Sequence, residues 1–294
     1  MPNRRVILWA ALLFSASLAL GLPARAERAL TLQDRSDPLY WQTDHARLLD
    51  SDPMRMVLQS LRATAAKKGT ENILPPDEVA SQITNLLLAE QTRNEAIHIQ
   101  TTLTTVGALS GFACQMAIRD GLIAEGKITL DKALVTVKTT NGETFFTGPF
   151  LNECLITDKK GQHSVWGFVG GAALHLGKPL PDVTGIFAHT GATIGQDSFG
   201  APELPEQHLP QMSSEALLWK YWNIIRNTLV LNEQPPAQWP LIIGLSAQQL
   251  ILESKDAIDP TIAAQIVMEA AVPMSHLDPA RIHEASLSEP NLEK

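Results

Sequence analysis

The chain has 294 residues, a formal net charge of −8 and a hydrophobic share of 45%, which is ordinary for a folded globular protein and argues against disorder. Acidity without any Lys/Arg-rich stretch excludes a phosphate backbone as an expected partner, so no nucleic acid is anticipated. Only two cysteines are present, Cys114 and Cys154, too few for a disulfide framework.

The N-terminus reads as an export signal. Arg4 and Arg5 precede an uncharged run from Val6 to Leu22, and Pro23 leads into Ala24-Arg25-Ala26, the small-x-small pattern of a signal peptidase site. Removing residues 1–26 takes three arginines and no acid from the −8 total, leaving −11 on a single domain of 268 residues, 27–294. The expected location is periplasmic or secreted. If left uncleaved, residues 6–22 would instead anchor the chain in a membrane, its only expected contact with one.

Helical punctuation follows. Asp52-Pro53 and Asp259-Pro260 pair an N-cap acid with a proline that needs no N–H at the first helical position. After the first come Met54, Val57, Leu58 and Leu61 at helical spacing; after the second, Ile262, Ile266, Val267 and Ala270. Pro75-Pro76-Asp77 opens a further helix with Val79, Ile83, Leu86 and Leu87 on one face. Leu103 to Ile118 is apolar nearly all round, the signature of a central buried helix.

A β-hairpin is expected at about residues 134–147, with Asn141-Gly142 as a two-residue type I′ turn. That turn would place Val137 opposite Phe146, Val135 opposite Gly148 and Lys138 opposite Phe145, with Val135, Val137 and Phe146 against a helix. Helices are then expected at His163–His175, Asp182–Ile194, after Ser213-Ser214, and at Trp239–Leu252. Trp219, Tyr221, Trp222 and Trp239 read as core rather than as a ligand groove. The last ten or so residues are polar and read as a frayed tail. The fold class is mainly α: a single-domain multi-helix bundle with one small hairpin.

Three pairs of glycines lie four apart: Gly107/Gly111, Gly167/Gly171 and Gly191/Gly195. Mid-helix glycine is unfavourable by about 0.5 to 1 kcal/mol relative to alanine, so close helix contact is expected at the first two pairs. Gly195 suits a turn equally well. Cys114 and Cys154 sit among apolar neighbours; a bridge is allowed, and two buried thiols are marginally preferred.

Chemistry-bearing motifs are scarce. No nucleophile elbow, phosphate cradle or dinucleotide fingerprint is present. Glu95 and His98 form one Glu-x-x-His pair without the second that a di-iron bundle needs, so no metal or cofactor is expected. The glycine-rich stretch does hold His163, His175, Asp182, His189 and His208. Of these, His175, Asp182 and His189 are the candidate catalytic residues, because histidine exchanges protons near neutral pH. Two functional classes follow. The preferred one is a non-catalytic binding or scaffold protein of the cell envelope, with a protein or small-molecule partner. The alternative is an envelope enzyme, such as a hydrolase, using a histidine site within residues 163–208.

Overall fold

The computed structural model describes residues 63, 74–92, 97–157, 159 and 163–282. The expected export signal, the helix after Asp52-Pro53, Glu95 and the polar tail lie outside the described residues.

Nine α-helices and one two-stranded sheet are present among the described residues. They are α1 (Pro76–Thr92), α2 (Ile99–Ile118), α3 (Leu130–Ala133), β1 (Val135–Lys138), β2 (Thr144–Thr147), α4 (Pro149–Leu155), α5 (Val165–His175), α6 (Val183–Thr193), α7 (Ser214–Leu231), α8 (Trp239–Glu253) and α9 (Pro260–His276). The mainly helical bundle with a single hairpin is therefore what the sequence forms. Short side-chain acceptors set several helix starts. Ser164, Asp182, Ser213 and Asp259 each accept a backbone N–H from the first turn of α5, α6, α7 and α9. None of the described helices is long and apolar enough to cross a membrane.

The bundle is organised around α2, which is buried almost throughout, from Thr101 to Met116. Its hydroxyls survive burial by bonding backward: Thr105 Oγ1 donates to the Thr101 carbonyl at 2.7 Å and Ser110 Oγ to the Val106 carbonyl at 2.8 Å. α9 runs against α2 along most of its length, and α7 and α8 pack beside it. Phe112, Trp222 and Trp239 interlock edge to face, with ring centroids at 4.8 and 6.1 Å. Tyr221, Trp222 and Trp239 are buried and Trp219 half-buried, so the aromatic set belongs to the core.

The glycine expectation divides. A Cβ at Gly107 would lie 3.0 Å from the Val267 Cα, and one at Gly111 2.8 Å from the Ala271 Cα. Two residues four apart on α2 thus meet two residues four apart on α9, backbone against backbone. For α5 the expectation is wrong. Gly167 is exposed and Gly171 half-buried, with only Gln248 Nε2, at 3.9 Å, near a Cβ at Gly171. The close approach between α5 and α8 falls instead on Gly244, where a Cβ would lie 2.8 Å from the Phe168 ring. Gly195 does sit in a turn, at φ +77°.

The hairpin forms, but one residue out of the expected register. Val135 pairs with Thr147, Thr136 with Phe146, Val137 with Phe145 and Lys138 with Thr144. A type I′ turn requires positive φ at both central residues, yet of Asn141 and Gly142 only Gly142 has it, at +89°. The connection is a three-residue loop in which the Asn141 carboxamide bonds Thr139 Oγ1 and, at 2.8 Å, Glu143 Oε2. A one-residue slip exchanges faces. Val135 is 55% exposed, whereas Phe145 and Phe146, on opposite faces of β2, are both buried, so β2 is the inner strand.

The cysteine expectation is also corrected. Cys114 on α2 and Cys154 on α4 form a disulfide, with Cα atoms 5.7 Å apart. Apolar neighbours are compatible with either state; adjacency of the two helices decides it.

Candidate functional site

Where α2 ends, the helix widens into a π-turn over Arg119–Ile123, the kind of single-turn irregularity that often marks functional regions. Beside it opens a cavity of about 250 Å³. One wall comes from Ala117, Ile118 and Leu122, a second from Phe150 and the Cys114–Cys154 bridge. The start of α5 supplies His163, Val165 and Phe168, and the start of α8 supplies Pro240 and Leu241. Among the described residues, no Asp, Glu, Lys or Arg side chain lines it. The imidazole of His163 stacks on the Phe168 ring, with centroids 5.6 Å apart and planes 19° from parallel. Phe150 remains 40% exposed. The polar side chains present are His163 and Ser164, and Ser164 Oγ already accepts the Gly167 N–H at 3.1 Å. Such a surface can hold an apolar body and orient it through one imidazole.

The sequence candidates occupy separate local settings. His175 is exposed in the last turn of α5. Asp182 is the N-cap of α6, its Oδ1 accepting the Gly185 N–H at 3.1 Å. His208 is half-buried in a 3₁₀ turn (Glu206–His208), and its Nδ1 has no partner among the described residues. His98, from the Glu-x-x-His pair, caps α2: its Nδ1 lies 2.8 Å from Thr101 Oγ1 and accepts the Thr101 N–H at 3.3 Å.

His189 has the richest surroundings of the group. Its Nε2 faces the Ala201 carbonyl at 3.1 Å and its Nδ1 faces Glu203 Oε1 at 3.2 Å. Glu269, buried on α9, lies in the same cluster; burial pushes its carboxyl up, while the Glu203 N–H, the Gln265 side chain and the nearby His189 oppose that rise. Neither Glu203 nor Glu269 carries a sequence signal, since one lies in a proline-rich loop and the other inside an apolar helix. Among the described residues, no three His, Cys, Asp or Glu side chains gather to hold a metal ion.

A second polar cluster ties the hairpin to the bundle, and it too carries no sequence motif. Gln115 Nε2 donates to the carbonyls of Ser275 and Leu277 at 2.7 and 3.0 Å, and its Oε1 accepts from Arg119 Nε at 2.9 Å. The Arg119 guanidinium lies 4.3 Å over the Phe146 ring. Burial pulls Arg119 down to about 10, against the charges of Asp278 and Asp120. His276 Nδ1 donates to the Phe146 carbonyl at 2.7 Å, which fixes its tautomer, and burial lowers its affinity for a second proton. These groups satisfy the end of α9 and the inner strand, a structural task.

No protein-family model, no curated protein and no solved structure matches the chain.

Proposed function

We propose that the protein is an exported binding protein of the cell envelope that takes a small, apolar ligand in the cavity among α2, α4, α5 and α8. The observation that carries the reading is a 250 Å³ cavity walled by Ile118, Leu122, Phe150, Phe168 and Leu241, without a charged side chain among the described residues. Acid–base or nucleophilic chemistry needs convergent polar groups, whereas this surface offers apolar area and one imidazole. The export half rests on Arg4-Arg5, the run from Val6 to Leu22 and Ala24-Arg25-Ala26. A disulfide between α2 and α4 is in keeping with an oxidising compartment.

Thermal unfolding with a panel of small apolar probes tests the binding half. A probe at ten times its Kd stabilises the folded state by about 1.4 kcal/mol. Ala117→Trp, which places an indole in the cavity, should abolish that shift. Failure of every probe to shift wild-type protein would end the reading.

The alternative, an envelope enzyme such as a hydrolase built in residues 163–208, keeps one specific support: His189 Nδ1 faces Glu203 Oε1 at 3.2 Å, and its ring bears electrostatically on the buried Glu269. Turnover of chromogenic esters or amides that is lost in His189→Asn would establish it. No turnover across such a panel would remove it.

A further inference from the structure

We infer that the cavity selects an uncharged, flat aromatic molecule of indole size; the inference rests on the binding reading above and names its ligand class. Three features of the walls carry it.

The first is capacity. An apolar cavity of about 150 Å³ accommodates benzene, so 250 Å³ scales to roughly ten heavy atoms, a fused bicyclic ring rather than a single one.

The second is charge. With no Asp, Glu, Lys or Arg among the described lining residues, an ionised group drawn into the cavity would lose water and find no fixed counter-charge among them. That cost excludes carboxylates and amines more strongly than any shape effect.

The third is the shape and electronics of the wall. His163 and Phe168, whose rings stack nearly parallel, both line the cavity, and Phe150 supplies a further ring at a part-exposed position. Aromatic partners gain from offset-stacked and edge-to-face geometry beyond the area they bury. A flexible aliphatic chain of equal hydrophobicity gains only the area. The imidazole adds one hydrogen-bonding position, able to accept a ring N–H or phenolic O–H.

The experiment is a titration of disulfide-intact full-length protein, followed by protein-observed NMR, with three probes: indole, hexanol and indole-3-carboxylate. Indole should saturate the shifts of Phe150 and Phe168 and bind about two- to tenfold tighter than hexanol, the factor that one aromatic contact supplies. His163→Ala removes an exposed ring, so the fold is preserved. It should bring the indole-to-hexanol ratio close to one by weakening indole more than hexanol. The carboxylate should bind more weakly than indole.

Each contrary result points to a different failure. Hexanol binding as tightly as indole would refute aromatic selection and leave the binding reading intact. The carboxylate binding tighter than indole would refute the exclusion of charge. Saturation by none of the three, with unfolding also unmoved by a wider apolar panel, would overturn both the inference and the binding reading.

Discussion

Replacing Gly111 by alanine is the sharpest probe of how this core is built, because two effects of opposite sign compete there. On helix propensity alone alanine is favoured by about 0.5 to 1 kcal/mol. Geometry opposes it: the new Cβ would stand 2.6 Å from the Ala271 carbonyl carbon and 2.8 Å from its Cα. Carbon atoms in ordinary contact are about 3.5 to 4.0 Å apart, so α2 and α9 would have to separate by about 1 Å. The opposing atoms are backbone, so no side chain can rotate away. Overpacking of this kind costs about 1 to 3 kcal/mol, and the lack of any yielding group puts Gly111→Ala near the upper end. For a domain of this size, about 3 kcal/mol corresponds to a fall in Tm of roughly 6 to 12 °C. Gly171→Ala is the matched control. Its nearest neighbour would be Gln248 Nε2 at 3.9 Å, so propensity should act alone and stabilise by about 0.5 to 1 kcal/mol. Urea unfolding of both variants, with unchanged slope, reads the difference. A Gly111→Ala protein as stable as wild type would refute the backbone-contact account of the α2–α9 interface.

Reducing the Cys114–Cys154 bridge, which closes 40 residues, should lower stability by about 4 kcal/mol on the loop-entropy relation; denatured, unreduced protein should show no free thiol, and finding two would overturn the pairing. The pH profile should carry two opposed slopes. Glu269 holds its proton more tightly when folded, so its contribution is full below the ordinary value of 4.5 and is lost as pH rises through the raised one. His276 holds its second proton less tightly when folded, so its contribution is full above 6.5 and is lost as pH falls through the lowered value. Stability measured from pH 4 to 8 should therefore rise more steeply with pH in Glu269→Gln and less steeply in His276→Gln; parallel curves for all three proteins would refute both assignments. Protein made in an exporting bacterial host should have an intact mass beginning at Glu27, and soluble protein retaining Met1 would contradict the signal reading.

How much of the fold was legible depended on whether a signal was local. Helix starts were readable because a cap and the N–H it accepts lie within three residues: Asp259 with Thr261, Ser213 with Ala216, Asp182 with Gly185. The central helix was readable because a segment that is apolar all round has only one place to go. The hairpin was found and its register missed by one, because Asn-Gly suits both a type I′ turn and a longer loop with glycine in the left-handed position. The choice fell to contacts between Asn141, Thr139 and Glu143. The glycine pairs expose the same boundary. Identical spacing on α2 and α5 produced a backbone contact on one and an open face on the other, because the buried side of α5 is set by Val165, Val169, Ala172 and Ala173.

The cavity was illegible for a further reason. Sequence motifs mark residues by what their side chains can do, whereas a cavity arises where side chains fail to fill a space. Its walls come from the end of α2, from α4, and from the starts of α5 and α8, so segments more than a hundred residues apart had to converge before it existed. Ala117 and Ala237 contribute by being small, and alanine carries no functional signal anywhere in a chain. His163 is the exception, a titratable residue in a glycine-rich stretch that turned out to line the cavity. Its partner in that role is Phe168, five residues on, rather than another histidine. A search for acid–base chemistry could reach the right segment for that reason and still miss what the segment offers, which is a pair of stacked rings at the cavity.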